Sequence, residues 1–365
     1  MTATDFDLRP NPRPHSDAER LKVLESPGFG RFFTDHMVSI RYVEGQGWLR
    51  GALEAYAPIT LDPAASVLHY GQAIFEGFKA YRADGGIVTF RPDANARRFA
   101  RSAERLAMPP LPVETFIAAA DALIARDAAW VPTAPDTSLY LRPLMIATEG
   151  VLGVRPAHEY LFLLFASPAG AYFSGGVKPV SVWISEDYVR AAPGGTGTAK
   201  CAGNYAASLV AQRDALAKGC DQVVWIDAVE RKWIEEMGGM NVMFVYEEGG
   251  KPSLVTPDLS SGTLLPGVTR DSLLTLARDR GWRATERRVS VDELTADIAS
   301  GKLKEAFACG TAAVITPIGL VKSARGAWTI ADGQPGKVTM DLRHQLLELQ
   351  HGRAPDPHGW VHRVG

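Results

Sequence analysis

The chain has few cysteines, no long apolar run and no excess of charge of either sign. Its three cysteines, Cys201, Cys220 and Cys309, are odd in number and widely spaced, so neither a disulfide framework nor a zinc site is indicated. No apolar run reaches the length of about 18 residues that a membrane-spanning helix needs. The polar, proline-rich segment 1–14 lacks the apolar core of a signal peptide. A net charge of -2 without a basic stripe argues against a nucleic-acid partner. We therefore expect a cytoplasmic protein with no metal, nucleic acid or membrane among its partners.

What is present points to a mixed fold with many turns. The chain has 35 glycines and 24 prolines, and its 365 residues exceed what one hydrophobic core usually holds. In the first half, runs of strands stand apart from the helices, a pattern typical of an α+β fold. The predicted elements are a hairpin turning at Asp84-Gly85, a helix capped by Asp93 and ending at Leu106, a helix over 113–130, and buried strands over 138–147 and 159–167.

A stretch rich in Gly and Pro, 168–179, indicates a domain boundary. We expect a small N-terminal domain over 1–170, with a weakly structured lead-in over 1–28. A linker over 171–180 and a larger domain over 181–365 follow. Within the larger domain the patterns predict one helix over about 205–218, a helix over 267–280 after Pro266, and a capping box at Ser290 and Glu293.

A lysine among small residues is the first chemical signal. Lys200 lies in P-G-G-T-G-T-A-K-C-A-G-N-Y, which runs from Pro193 to Tyr205. Small neighbours let a bulky planar group approach the backbone, and a buried amine is the nucleophile that a Schiff base requires. The ordinary alternative is an exposed lysine in a flexible loop. A phosphate-binding P-loop is disfavoured, because Ala199 precedes the lysine and Cys201 follows it.

Three further motifs could contact a cofactor or an anion. Glu235 and Glu236, in I-E-E-M-G-G-M-N, could aim a carboxylate at a pyridine nitrogen. Gly267, in L-L-P-G-V-T-R, precedes a helix whose N-terminus could bind an anion. Thr311, in F-A-C-G-T-A-A-V-I-T-P, could offer a hydroxyl group. Taken singly, each motif also fits an ordinary solvated turn, helix start or turn between strands.

Together, the order and spacing of these motifs resemble the pyridoxal-phosphate (PLP) dependent aminotransferases of fold type IV, and the branched-chain aminotransferases in particular. The resemblance runs from about Phe29 to Gly359-Trp360 and includes F-G-R-F-F-T-D-H-M, L-H-Y-G-Q-A-I-F-E-G-F-K-A-Y, S-L-Y-L-R-P, P-A-G-A-Y-F and G-C-D-Q-V-V-W. It implies a smaller α/β N-terminal domain, a larger C-terminal domain with a barrel-like β core, PLP as the cofactor, and a homodimer.

The resemblance also implies roles for individual residues. Lys200 would be catalytic, carrying PLP as a Schiff base and moving the substrate proton. Tyr205 would bond the phenolic oxygen of PLP, and Glu236, five residues before Asn241, would pair with its pyridine nitrogen. The phosphate contacts would be Arg98, Val268, Thr269 and Thr311. Thr311 and Ala312 would hold the substrate α-carboxylate. The side-chain pocket would comprise Phe29, Tyr70, Phe75, Tyr140, Arg142 and Tyr172, with Leu152 and Val154 lent by the partner subunit.

The implied reaction is ping-pong transamination between leucine, isoleucine or valine and 2-oxoglutarate. A D-amino-acid aminotransferase or an aminodeoxychorismate lyase of the same fold is the nearest alternative, and S-L-Y-L-R-P favours the branched-chain group. From another class, a non-catalytic nucleotide-binding protein could use the Gly-rich loop. Ala313 and Thr316 stand where mammalian members carry a C-x-x-C redox pair, so we expect no thiol switch there.

Overall fold

The computed structural model describes residues 6–170 and 177–365, and the chain divides into two compact units. Unit 1 is bounded by Met1–Ser174, Ala199–Gly203 and Glu348–Gly365; unit 2 by Gly175–Thr198 and Asn204–Leu347. Two short segments that we expected in the larger domain, 199–203 and 348–365, thus belong to unit 1. Most of the expected linker, 171–180, lies outside the described residues, so the domain limits stay a prediction.

Unit 1 is built on a ten-stranded sheet. Its strands are β1 (Asp7–Arg9), β2 (His36–Val43), β3 (Gly47–Trp48), β4 (Ala52–Ala55), β5 (Ala73–Phe75), β6 (Phe78–Ala83), β7 (Gly86–Phe90), β8 (Ser138–Ala147), β9 (Glu159–Ala169) and β19 (Val361–Val364). The order is β1-β4-β2-β9-β8-β6-β7-β19, with β3 beside β2 and β5 beside β8. The predicted hairpin is β6 and β7, where Ala83 faces Gly86. Strands β8 and β9 pair antiparallel from Ser138–Ala169 to Ala147–Tyr160.

The helices of unit 1 pack on this sheet around an aromatic core. They are α1 (Asp17–Glu25), α2 (Ser66–Tyr70), α3 (Pro92–Arg105) and α4 (Val113–Arg126). The rings of Phe99 and Phe116, from α3 and α4, lie 5.6 Å apart, and each meets Phe162 of β9. All three side chains are almost fully buried, so the two helices are held by apolar contact with the sheet.

The described part of the lead-in is regularly structured, which differs from our expectation for 1–28. Strand β1 pairs in parallel with β4. Helix α1 begins at a complete capping box, in which the Ser16 hydroxyl accepts from the Glu19 N–H and the Glu19 carboxylate accepts from the Ser16 N–H. His15 Nδ1 lies 2.7 Å from Asp35 Oδ1, which ties the segment to the sheet. The S-x-x-E spacing at 16–19 is the sequence signal of this capping box.

The start of α3 also differs from the expectation that Asp93 caps it. The N-cap is Arg91, in the left-handed region with φ of 50°, and its side chain makes no cap hydrogen bond. Pro92 takes the first helical position, where the fixed φ of proline suits the helix and its missing N–H is not needed. Asp93 therefore lies inside the first turn, where it pairs with Arg97.

Unit 2 contains a closed ring of six strands. Its nine strands are β10 (Val180–Ser185), β11 (Gln222–Ile226), β12 (Ile234–Met237), β13 (Met240–Glu248), β14 (Lys251–Thr256), β15 (Arg283–Glu286), β16 (Glu305–Gly310), β17 (Val314–Ser323) and β18 (Gly326–Thr329). The order β12-β11-β10-β17-β16-β13-β14-β15 closes on itself because β12 also pairs with β13. The fold-type IV α+β architecture with a barrel-like β core is thereby confirmed.

The described α-helices that follow β10 in the chain are α5 (Ala202–Ala206), α6 (Leu209–Ala217), α7 (Val268–Asp279), α8 (Val291–Ala299) and α9 (Lys337–Gln350). We expected one helix over 205–218, but the chain breaks between α5 and α6, where the Ser208 hydroxyl donates to the Tyr205 carbonyl at 2.7 Å and competes with the helical pattern. Ser290 caps α8 as predicted by accepting from the Glu293 N–H at 3.0 Å. The Glu293 carboxylate instead binds Arg287. Among the described residues, no helix has both the length and the apolar character that crossing a membrane requires.

Candidate active site

Lys200 is held by α3 and by the last residue of β5, all within unit 1. Its backbone N–H donates to the Ser102 hydroxyl at 2.9 Å, and its carbonyl accepts from the Phe75 N–H at 3.0 Å. The Nζ atom lies 4.9 Å from the centre of the Phe75 ring. Removal from water, together with the nearby Arg98 guanidinium, lowers the pKa of the Lys200 ammonium to about 8. The loop thus presents a partly buried, easily deprotonated amine rather than a solvated lysine.

Arg98 forms a buried ion pair with Glu76, a residue that the sequence analysis did not single out. The guanidinium donates from Nε to Glu76 Oε1 at 2.6 Å and from Nη2 to Oε2 at 2.9 Å. Glu76 is fully buried and Arg98 is 4% exposed. Burial opposes ionisation of Glu76, yet the Arg98 guanidinium holds the pKa of this carboxyl below its usual value.

A cavity of about 330 Å³ lies within unit 1 and contains four of the residues predicted for the side-chain pocket. It is lined by Phe29, Gly30, Phe33, Phe75, Tyr140, Arg142, Leu144, Phe165 and Ser167. Five of these, Gly30, Phe33, Leu144, Phe165 and Ser167, were missed. The period of two along β8 gave a usable signal, because residues 140, 142 and 144 share one face of the strand.

Arg142 lies between two aromatic rings of this cavity. Its Cζ atom is 4.8 Å from the centre of the Phe75 ring and 5.4 Å from that of Tyr140. Nη2 lies 3.4 Å from the Tyr140 hydroxyl, and the Tyr140 ring meets Phe29 edge-on at 5.0 Å. Gly77 makes room for Tyr140, since a Cβ there would come within 2.7 Å of Cζ of the tyrosine. The result is an apolar cavity that carries one guanidinium in its wall.

Three other predicted pocket residues lie at the surface, and a fourth is not described. Tyr70 is 42% exposed, and its hydroxyl donates to the Leu152 carbonyl. Leu152 and Val154 are 65% and 86% exposed. Tyr70 is not among the described residues that line the cavity. Tyr172 lies outside the described residues.

In unit 2, Glu235 and Glu236 are both 2% exposed but have different partners. Glu236 Oε1 accepts from the Leu265 N–H at 2.6 Å, and Oε2 lies 3.1 Å from Arg190 Nε. The latter contact lacks hydrogen-bond geometry, so it is an ion pair without a directed bond. Glu235 accepts from the Thr263 hydroxyl through Oε1, while Oε2 has no hydrogen-bond partner among the described residues. Burial raises the pKa of Glu235.

The Asn241 side chain binds Leu265, the same residue whose backbone N–H donates to Glu236. Strand pairing sets Glu236 opposite Asn241, and Asn241 Nδ2 donates to the Leu265 carbonyl at 3.0 Å. Both backbone groups of Leu265 are thus fixed by side chains of the ring. Two residues on, Gly267 is the N-cap of α7, and a Cβ there would overlap the Asn241 side chain. This anchoring defines where the N-terminus of α7 begins.

The remaining predicted cofactor residues of unit 2 lie at turns and helix starts. Val268 and Thr269 open α7, and Thr269 is buried. Thr311 and Ala312 form the turn between β16 and β17. Tyr205 lies in α5, and a Cβ at Gly239 would come within 3.3 Å of its Cε1.

The Gly-rich loop before Lys200 is anchored inside unit 2. Arg190 Nη2 donates to the carbonyls of Gly197 and Thr263. A Cβ on Gly197 would come within 2.7 Å of Thr263 Cα, so the close approach requires glycine. Asn204 Nδ2 donates to the Thr196 carbonyl at 2.8 Å. Side chains of Arg190 and Asn204 thus hold the backbone of this loop at Gly197 and Thr196.

Comparisons with known proteins place the chain among the aminotransferases. Residues 73–321 match the family model for class IV amino-transferases, and the chain belongs to this family of PLP-dependent enzymes. The chain is 61% identical, over 100% of both chains, to a probable branched-chain-amino-acid aminotransferase of Streptomyces coelicolor. The Escherichia coli branched-chain amino acid aminotransferase has a TM-score of 0.74 at 27% identity, covering 89% of this chain and 99% of the other.

A second similar protein has been solved in complexes with small molecules. The branched-chain amino acid aminotransferase of T.th. has a TM-score of 0.72 at 28% identity, covering 89% of this chain and 98% of the other, in a complex with pyridoxamine 5'-phosphate. The same protein has been solved with N-(5'-phosphopyridoxyl)-L-glutamate and with 4-methylvaleric acid.

The side chains present fit PLP. In unit 1, Lys200 supplies an amine whose pKa is lowered to about 8, and Arg98 supplies a buried guanidinium. In unit 2, Glu236 is a buried carboxylate, and α7 begins at a glycine without a side-chain cap. An aldehyde, a phosphate and a protonated pyridine nitrogen need partners of these types.

Proposed function

We propose that the protein transfers the amino group of leucine, isoleucine or valine to 2-oxoglutarate by a ping-pong reaction with PLP. The cavity of unit 1 carries this proposal, because it combines the rings of Phe29, Phe75 and Tyr140 with the Arg142 guanidinium. A purely aliphatic substrate would not need a guanidinium in an apolar wall, whereas a γ-carboxylate does. The T.th. relative, solved with a glutamate derivative and with a branched acid, supports the same pair of substrates.

Lys200 is proposed as the catalytic base and acid. With a pKa of about 8, roughly a quarter of the side chains are neutral at pH 7.5, against about one in a thousand for an ordinary lysine. The neutral amine is the form that could bond the aldehyde of PLP and, once the amino group of the substrate has displaced it, could take up the α-proton of the substrate. Bound PLP supplies an electron sink for the negative charge that develops on the α-carbon.

The other polar residues are proposed to hold charged groups in place. Arg98 and the first turn of α7, with Val268, Thr269 and Thr311, bind the phosphate. Glu236 keeps the pyridine nitrogen protonated, and Tyr205 donates to the phenolic oxygen. Thr311 and Ala312 bind the α-carboxylate common to both substrates. Arg142 binds the γ-carboxylate of glutamate, and Phe29, Phe75 and Tyr140 surround the side chain.

We also propose a homodimer in the cytoplasm. Leu152 and Val154 expose apolar side chains in the single chain, and burial by a partner subunit would remove that surface from water. The cysteines are all free, as in a reducing compartment. Sedimentation at micromolar concentration should give twice the chain mass, and a Leu152→Asp/Val154→Asp variant should give the monomer.

Two measurements test the function itself. Glutamate formation from 2-oxoglutarate should proceed with L-leucine, L-isoleucine and L-valine and not with D-alanine. Borohydride reduction of the protein with PLP, followed by peptide mapping, should place the label on Lys200, and Lys200→Ala should abolish it. A label on another lysine, or turnover of D-alanine alone, would contradict the proposal.

A further inference from the structure

Glu76 is a charged residue placed where charge is costly, beside the lysine and arginine proposed to bind the cofactor. It is fully buried, and its Oε2 atom accepts three hydrogen bonds: from Arg98 Nη2 at 2.9 Å, Asn95 Nδ2 at 2.8 Å and the Gly77 N–H at 3.1 Å. Oε1 accepts from Arg98 Nε at 2.6 Å. A carboxylate, which only accepts, is the one side chain of this shape that satisfies all these donors.

The partners of Glu76 and the support of Lys200 come from the same two segments. Residues 95, 98 and 102 share one face of α3 by their spacing of three and four. Asn95 and Arg98 bind Glu76, while Ser102 binds the Lys200 N–H. Phe75, directly before Glu76, binds the Lys200 carbonyl. The Glu76 carboxylate thus binds the proposed phosphate ligand directly, whereas the backbone of Lys200 is held by Ser102 and Phe75.

The pairing uses one edge of the Arg98 guanidinium. Nε and Nη2 both point at the Glu76 carboxylate, so an anion must be met at the Nη1/Nη2 edge. A bidentate pair fixes the plane of the guanidinium, which a single hydrogen bond does not. Glu76 thus determines which way Arg98 faces.

We propose that Glu76 is a positioning residue, which orients the Arg98 guanidinium for the cofactor's phosphate and thereby sets the preference of the protein for PLP over pyridoxal. The proposal rests on the assignment of Arg98 as a phosphate ligand. A purely structural ion pair would make no such distinction, because it would support both cofactor forms equally. Pyridoxal lacks the phosphate but keeps the aldehyde and the pyridine ring, so it is the matched probe.

The experiment measures the Kd of PLP and of pyridoxal for the apoprotein by absorbance titration. In Glu76→Gln, the amide N–H₂ must face either Arg98 Nε or the three donors at the Oε2 position, so the guanidinium loses its fixed plane. Loss of a charge-assisted hydrogen bond predicts a fall of about ten- to a hundredfold in the Kd ratio of pyridoxal to PLP. The Kd of pyridoxal itself should change by less than about threefold. Glu76→Asp, which keeps the charge but is one methylene shorter, should give an intermediate ratio.

A double-mutant cycle separates action through Arg98 from a general effect. Arg98→Met alone should lower the ratio, and Glu76→Gln added to Arg98→Met should lower it no further. Removing both charges also leaves no unpaired buried ion, so the double variant should fold. If Glu76→Gln alone does not give the native near-ultraviolet circular dichroism, Asn95→Ala decides: it removes one donor to Oε2 and should lower the ratio about two- to tenfold.

The outcomes distinguish this proposal from the function on which it rests. If Arg98→Met leaves the ratio unchanged, Arg98 is not the phosphate ligand, and the proposal fails together with that assignment while PLP remains the cofactor. If Arg98→Met lowers the ratio but Glu76→Gln, or Asn95→Ala where that variant decides, leaves it unchanged, only the role of Glu76 is overturned. An equal loss for PLP and pyridoxal also overturns it, because it would show a structural role alone.

Discussion

Replacement of Arg142 by methionine tests whether one cavity accommodates both an aliphatic side chain and a γ-carboxylate. The Arg142 guanidinium lies 4.8 Å from the centre of the Phe75 ring and 5.4 Å from that of Tyr140. Methionine keeps an unbranched apolar chain against these rings and removes only the charged fork. Leucine, which needs the apolar wall alone, should therefore bind nearly as before.

The expected magnitude follows from what each substrate loses. Glutamate and 2-oxoglutarate lose a charge-assisted hydrogen bond of about 1.5–3 kcal/mol, equivalent to about a ten- to hundredfold higher half-reaction KM. For leucine, the change amounts to about one methylene of contact, roughly 0.8 kcal/mol, which corresponds to about fourfold. The half-reaction KM of glutamate and 2-oxoglutarate should thus rise more than the half-reaction KM of leucine.

Single-turnover kinetics of each half-reaction, followed by cofactor absorbance, provide the assay. Tyr140→Phe is the matched control, because it removes the hydroxyl 3.4 Å from Arg142 Nη2 and leaves the guanidinium in place. It should affect both substrates by less than about threefold, as expected for a contact at the long limit of hydrogen-bond distance. Equal losses for leucine and glutamate in Arg142→Met would refute the reasoning and make Arg142 a structural strand residue.

Three further predictions follow from burial and close packing. Glu236→Gln should lower turnover by orders of magnitude with the cofactor largely retained. Glu235→Gln should have a mild effect on turnover, because burial raises the pKa of Glu235 and an amide resembles the protonated acid. Stopped-flow traces that reverse this order would refute the assignment of Glu236. Gly77→Ala should destabilise the protein by ~1–3 kcal/mol, since its Cβ overlaps Tyr140. Tyr140→Leu in that background should restore part of the melting temperature, and no recovery would contradict the clash as the cause. The three cysteines are at most 3% exposed, so the native protein should resist a thiol reagent that labels all three after denaturation, and peroxide should form no internal disulfide; rapid native labelling would contradict this.

Local features of the fold were predictable because their causes are local. The Asp84-Gly85 turn gives Gly85 a φ of 81°, a conformation that glycine adopts at no cost. The Ser290 hydroxyl caps α8 as its spacing from Glu293 predicted. The capping box did not close on the other side, because Arg287 takes the Glu293 carboxylate. The pattern names the donors and acceptors, but competition from elsewhere in the chain decides which pairs form.

Pairings between distant segments were not predictable from periodicity. Strand β19 pairs with β7 through Val361–Phe90 and Val364–Ile87, which joins the end of the chain to unit 1. The ring of unit 2 closes through a pairing of β12 with both β11 and β13. Alternation shows which face of a strand is buried but not which strand lies beside it. The resemblance to a known family, rather than the pattern itself, predicted the barrel-like core.

Some functional residues can be predicted from local sequence and others cannot. Helix α3 shows how buried polar residues could be predicted from the sequence. The apolar residues Phe99 and Ala103 mark the buried face of this helix, because they are spaced by four residues and both are fully buried. Asn95, Arg98 and Ser102 lie on that same face, and all three are buried. A polar side chain on a face that apolar neighbours mark as buried must find a partner, because an unpaired one is costly. Such residues are therefore the sequence signal for a buried polar cluster. Applied to α3, that rule selects the two helix residues that bind Glu76 and the one that holds Lys200, without reference to any relative.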